Sequence, residues 1–215
     1  MNLTEFLEKF VCDKLIENNR YSSFSIALED ARKITGRDVA TGELKHNILT
    51  NRNNGYLEPY SFIGITNYLL LLEIIGKVFE PNLSSSGKKG IRGALQHFSD
   101  IDEKDQYAIE ALRNALVHSY SLVNIPSNQD HNENSRHIFT LSAFEDTPLI
   151  RYPDISWDGN FNNKTQNRST TVQTNRLFDE IELIVQNVRA GVRDGSIKSS
   201  RGQYINTYLS GSKYI

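Results

Sequence analysis

Arg113, Asn114 and His118 are residues of this 215-residue chain whose types and spacing suit chemistry together. A histidine titrates near neutrality and can take or give a proton, and an arginine offers paired donors to a phosphate or carboxylate. RNA cleavage without a metal asks for those groups. The 2′-hydroxyl attacks its own phosphate, so one group must remove its proton and another must protonate the leaving oxygen. A fixed cation must also hold the charge of the five-coordinate phosphorus. One histidine does not easily serve both sides of an in-line reaction. A two-fold dimer would bring a second copy of the motif into the same cleft.

The element that positions these residues is predicted as a helix from Asp102, its N-cap, to about Leu122. On a wheel of about 100° per residue, Ile109, Leu112, Ala115, Leu116, Ser119 and Val123 form a core face. Tyr107, Asn114, His118 and Ser121 gather on the opposite side, with Arg113 and Val117 on the flank between. An apolar Val117 beside polar neighbours points to a surface that a partner covers. Tyr120 falls on the core side of an ideal wheel, the place of a buried aromatic with its hydroxyl bonded.

The segment Ile109-Glu-Ala-Leu-Arg113-Asn114-Ala-Leu-Val-His118-Ser-Tyr120 resembles the signature of HEPN domains: Arg, often followed by Asn, four to six residues, then His. Its His-x-Tyr ending resembles the version in HEPN toxins paired with nucleotidyltransferase antitoxins. The resemblance spans about residues 60–190. It implies an all-helical, usually dimeric bundle, and for many members an RNase activity in host defence, toxin–antitoxin or stress systems. By that resemblance His118 is the proton-transfer residue, Arg113 the phosphate-stabilising one, Asn114 a supporting polar ligand, and Tyr120 the position that a partner nucleotidyltransferase modifies in some relatives. The bare Arg-x4–6-His pattern carries little weight, since thirteen arginines and five histidines in this chain give about one chance match. Arg92-Gly-Ala-Leu-Gln-His97 is such a match. The second copy differs in having Asn after Arg, Tyr two residues after His, and a long amphipathic helix beneath it.

Around that helix the chain reads as mainly α. Leu3, Phe6, Leu7, Phe10, Val11 and Leu15 recur at helical spacing, and a second helix runs from Ser22 or Ser23 to Gly36. Residues 36–60 are polar and read as a connection. The apolar stretch 61–79 contains Leu69-Leu70-Leu71-Leu72, but Asn67, Glu73 and Lys77 interrupt it, so it reads as a buried helix rather than a membrane span. Glu73 is either exposed or paired with a cation such as Arg113, because a buried carboxylate demands a partner. Ser84-Ser85-Ser86-Gly87-Lys88-Lys89-Gly90 lacks phosphate-loop spacing and reads as a turn before a short helix at about 91–98. Beyond Pro126, Ile138-Phe139-Thr140-Leu141 and Leu149-Ile150-Arg151-Tyr152 read as the two strands of a β-hairpin. An Asn-rich surface loop at 158–170 follows, and a long helix begins near Thr174.

The net charge of −2 supplies no global attraction for nucleic acid, although residues 164–201 carry seven Lys/Arg against four Asp/Glu and 99–112 carry five acids against Lys104. The single cysteine, Cys12, sits in an amphipathic stretch as a small hydrophobe, and it excludes an internal disulfide. His131 and His137 flank Glu133, too few ligands for a metal site, and Trp157 either stacks a base or plugs the edge of the core. The acidic N-terminus is unlike a signal peptide.

The expectation is therefore a single mainly α domain over residues 1–215, a HEPN-like helical bundle. It would have an N-terminal helical arm at 1–58, a helical core at 59–125 and 171–195, and a β-hairpin and loop insertion at 126–170. Small HEPN toxins lack both the arm and the insertion. The expected function is that of a cytoplasmic, metal-independent endoribonuclease acting as a homodimer on RNA, without cofactor or membrane, in a toxin or phage-defence setting. The alternative is a catalytically silent HEPN module that binds RNA, a nucleotide or a partner protein such as an antitoxin.

Overall fold

Three side-chain caps set where helices begin. Ser22 accepts from the Ser25 N–H, Ser61 from the Gly64 N–H and Asp102 from the Asp105 N–H, each satisfying a donor of a first turn. In this computed structural model, which describes residues 3–12, 15–16, 20–45, 61–82, 88–126, 136–143 and 148–199, the helices are α1 (Leu3–Cys12), α2 (Ser23–Ile34), α3 (Phe62–Val78), α4 (Ile91–Phe98), α5 (Glu103–Ser119) and α6 (Thr174–Arg193). The protein is mainly helical. Among the described residues no helix is long and apolar enough to cross a membrane.

α3 runs through the middle of the core, with Ile65, Tyr68, Leu69, Leu71, Leu72 and Ile75 all inaccessible to solvent. Its neighbour α4 comes very close. A Cβ on Gly76 would lie 1.8 Å from the Gly90 carbonyl oxygen, and one on Gly93 would lie 2.3 Å from that of Lys88. Only glycine permits this backbone approach, and the approach fixes the start of α4 against the C-terminal turn of α3. α5 and α6 complete the bundle through Ile109, Leu112 and Leu116 and through Leu177, Ile181, Ile184 and Val188.

The segment read as an arm is part of that same core. Leu7, Phe10, Val11, Phe24, Leu28 and Ala31 are buried with α3 and α6. Two arginines secure it further. Arg32 makes a two-pronged bond to Glu182 of α6, Nε to Oε1 at 2.8 Å and Nη2 to Oε2 at 2.6 Å, and Tyr68 Oη donates to the same carboxylate at 2.8 Å. Arg37 donates to Asp179 Oδ1 at 2.7 Å and to the Asn175 carbonyl at 3.0 Å. A local spacing pattern does not show partners about 140 residues away, so the sequence alone made this region look appended.

The β-hairpin expected at 138–152 does not form. β5 (His137–Ser142) and β6 (Ile150–Arg151) both pair with β7 (Thr170–Gln173), which lies between them, parallel to β5 and antiparallel to β6. With β4 (Val123–Asn124) on the other side of β5, the sheet order is β4-β5-β7-β6. Thr170-Thr171-Val172-Gln173 is short and polar enough to pass for a loop end. Yet all four residues are buried, and the central position of β7 explains why. β1 (Leu15–Ile16) pairs with β2 (Arg20–Tyr21), and β3 (Phe79–Pro81) pairs with β8 (Ile197–Ser199).

Candidate functional site

Arg113, Asn114 and His118 meet at the C-terminal half of α5. The core face of this helix ends at Leu116, and Val117, His118, Ser119 and Tyr120 are all exposed. Arg113 is half-buried and folds along the helix surface. Its Nη1 donates to Asn114 Oδ1 and to His118 Nε2, both at 3.0 Å. A guanidinium has only donors, so in this contact Nε2 is the accepting partner. His118 lies five positions after Arg113, which puts them on different sides of an ideal helix; the length of the arginine side chain closes the gap.

The other guanidinium nitrogen, Nη2, donates to Glu73 Oε2 on α3, and Lys77 Nζ donates to Oε1 of the same carboxylate. Of the two readings left open for Glu73, the paired one holds: its side chain is 15% exposed and that of Arg113 is 17%. Burial, the largest single influence, pushes the Glu73 carboxyl up, but the bond from Lys77 and the charge and bond of Arg113 outweigh it. The group sits below the ordinary glutamate range. Glu110, one turn before Asn114, shows the opposite behaviour: burial raises its carboxyl despite Arg92 and Arg113 nearby. Glu73, Lys77, Glu110, Arg113 and Asn114 line a cleft of about 250 Å³ beside the motif, whose lining does not include His118. Sequence reasoning missed Glu110 and Lys77. Their i,i+3 and i,i+4 relation to Arg113, Asn114 and Glu73 was the available signal.

Tyr120 departs from expectation. α5 stops at Ser119 instead of reaching Leu122, and Tyr120 takes a left-handed conformation with φ 46° and ψ 43°. Its N–H donates to the Leu116 carbonyl at 3.1 Å and that of Ser121 to Ala115 at 3.1 Å, which closes the helix. The ideal wheel no longer applies there, so Tyr120 is 70% exposed rather than buried, with its ring 5.6 Å from that of Phe62. Ser119, the last residue of α5, is exposed as well.

The second Arg–His match is not assembled. Arg92 lies flat on Tyr107, 3.9 Å from the ring centre, within 4.0 Å of Glu110, while His97 packs beside Phe98. Tyr107 is thereby drawn to α4 instead of standing with His118. His137 is a buried residue at the start of β5, its Nδ1 2.9 Å from Thr170 Oγ1. His46, His131 and Glu133 lie outside the described residues, as do Ser84 to Gly87. Among the described residues no three histidines, cysteines or carboxylates cluster as metal ligands. Trp157 is buried, with Nε1 donating to the Asn160 carbonyl at 2.9 Å. Cys12 is half-buried, and burial pushes its thiol up despite Arg193 and Arg189 nearby, which suits packing rather than nucleophilic attack.

The arrangement can hold an oxyanion on a half-buried guanidinium and accept a proton at an adjacent exposed imidazole. No family model matches the chain, and no curated protein or solved structure matches it either.

Proposed function

We propose that this protein is a metal-independent endoribonuclease of the HEPN type, with Arg113, Asn114 and His118 as its catalytic centre and Glu73 as a positioning residue. The observation that carries this reading is the shared contact of Arg113 Nη1 with Asn114 Oδ1 and His118 Nε2, each at 3.0 Å, at the exposed end of a core helix. In this scheme the phosphate oxygens of the substrate displace His118 from the guanidinium. The neutral imidazole then takes the 2′-hydroxyl proton, and the 2′-oxygen attacks phosphorus. The 5′-oxygen leaves with a proton, giving a 2′,3′-cyclic phosphate and a 5′-hydroxyl.

The proton for the leaving oxygen comes from His118 of a second copy, so the working unit is a homodimer. Val117, 37% exposed, and Tyr120 flank His118 and suit such an interface. A cytoplasmic setting, a role in a toxin–antitoxin or phage-defence system, an antitoxin partner and modification at Tyr120 belong to this proposal.

A second reading has its own support. Glu73 and the His118 ring both occupy the guanidinium, and an acidic residue at the heart of the site disfavours a polyanion. This favours a catalytically silent module that binds RNA, a nucleotide or a partner protein. Incubating RNA in excess chelator with wild type and with His118→Ala separates the two. The nuclease reading expects cyclic-phosphate ends from the wild type alone. Equal cleavage by both proteins, or loss of cleavage on chelation, rejects it.

A further inference from the structure

A cavity of about 100 Å³ lies where the N-terminal turn of α5 meets the sheet, between the segment after β6 and the one before β7. Lys104, Arg136 and Arg168 line it, together with Tyr152, Trp157 and Thr170, and among the described residues no carboxylate lines it. Cations gathered around an enclosed space repel one another unless an anion joins them. The neighbouring acids are held outside. Asp105 accepts the Tyr152 hydroxyl at 2.9 Å. Asp158 accepts the Asn160 N–H at 2.9 Å and the Asn163 amide at 2.6 Å, and lies 3.8 Å from Arg168 Nη1. Those bonds keep the Asp158 carboxyl below its ordinary range, hence ionised and able to orient Arg168. Arg136 is steadied by the Asp158 carbonyl at 3.5 Å, and Lys104 Nζ rests 3.6 Å from the centre of the Tyr152 ring.

Size selects the ligand group. The cavity equals the share of about three waters, too small for a drug-sized molecule but enough for one tetrahedral oxyanion. Two guanidinium groups favour phosphate oxygens over a simple halide. We propose that this cavity binds a phosphomonoester, the terminal phosphate of a nucleotide or of a nucleic-acid 5′ end. Lys104 and His118 are 14 residues apart on one chain segment, about 20 Å along a helix. The phosphate site is therefore separate from the Arg113 centre and stands whether or not that centre cleaves RNA.

Trp157 is the single tryptophan of the chain and lines the cavity, so its fluorescence reads occupancy directly. The full chain is titrated at constant ionic strength with inorganic phosphate, adenosine 5′-monophosphate, adenosine, and one RNA oligonucleotide carrying either a 5′-phosphate or a 5′-hydroxyl. A saturable change is expected with phosphate and the monophosphate and not with adenosine. Arg136→Ala and Arg168→Ala should each weaken binding about tenfold to a hundredfold. Lys104→Gln, on the exposed helix surface, carries the test should an arginine variant unfold. Binding of the 5′-phosphorylated RNA alone places the group on a chain end, and binding of the mononucleotide without either RNA places it on a small ester. Equal binding of both RNAs, no saturable change, or unaltered affinity in folded variants overturns the proposal.

Discussion

Arg113 and Glu73, forty residues apart in sequence, form an ion pair that ties the motif helix α5 to the central helix α3, with Lys77 on the same carboxylate. The pair makes an arginine available for chemistry rigid, and it also restrains that arginine.

Removing the carboxylate should cost stability and change its acid dependence. Glu73→Gln leaves the Arg113 guanidinium without its counter-charge, at about 1–3 kcal/mol. Because the folded Glu73 carboxyl lies below its ordinary value of 4.5, its contribution is complete above that value and is lost as pH falls through the lower folded value. Urea unfolding at pH 7 and at several points below pH 4.5 should show the gap between wild type and Glu73→Gln closing on the acid side. Parallel curves at all pH values would refute the assignment.

Arg113→Lys keeps the charge but loses the fork that reaches Asn114, His118 and Glu73 together. Under the nuclease reading its kcat should fall about a hundredfold or more, while unfolding free energy changes by no more than about 1–2 kcal/mol. A lysine variant that cleaves at the wild-type rate would show that the fork geometry plays no part.

The buried cluster of Arg32, Glu182 and Tyr68 should dominate attachment of α2. Glu182→Ala strands a buried guanidinium and should cost about 3–5 kcal/mol, and the paired change Arg32→Met with Glu182→Leu should recover a good part of that loss. Burial, with Glu182 beside it, pushes the Tyr68 hydroxyl far above the ordinary tyrosine value of 10.0. A raised value in the folded state means this stabilisation is intact below pH 10 and declines as pH rises further. Denaturant titrations at pH 8 and at pH 11 test it, and a higher midpoint at pH 11 would contradict it.

Tyr120 should be the reactive tyrosine of the described core. With 70% of its surface exposed, it should nitrate with tetranitromethane well before Tyr68, which is inaccessible. Peptide mass spectrometry after brief treatment reads the order. Nitration of Tyr68 first would mean that α5 does not end as described.

The helices were largely legible in the sequence because their signals are local. Asp102 caps the helix it was expected to cap, Ser22 and Ser61 lie where helices were expected to start, and apolar spacing located α3 and α6. The same spacing put Asn114 and His118 one turn apart. Tyr120 was misplaced because an ideal wheel assumes that the helix continues, and one left-handed residue changes the direction of everything after it.

Long-range pairing decided the rest. Two extended runs with a turn between them look like a hairpin, and nothing local announces that Thr170–Gln173 will lie between them, since strand neighbours are chosen by burial of both faces across distant segments. Residue types and spacing, by contrast, named Arg113, Asn114 and His118. That Arg113 also holds Glu73, that Glu110 faces the adjoining cleft, and that Lys104, Arg136 and Arg168 surround one cavity depend on packing of helices and sheet, because charge complementarity between distant segments leaves no periodic trace in the chain.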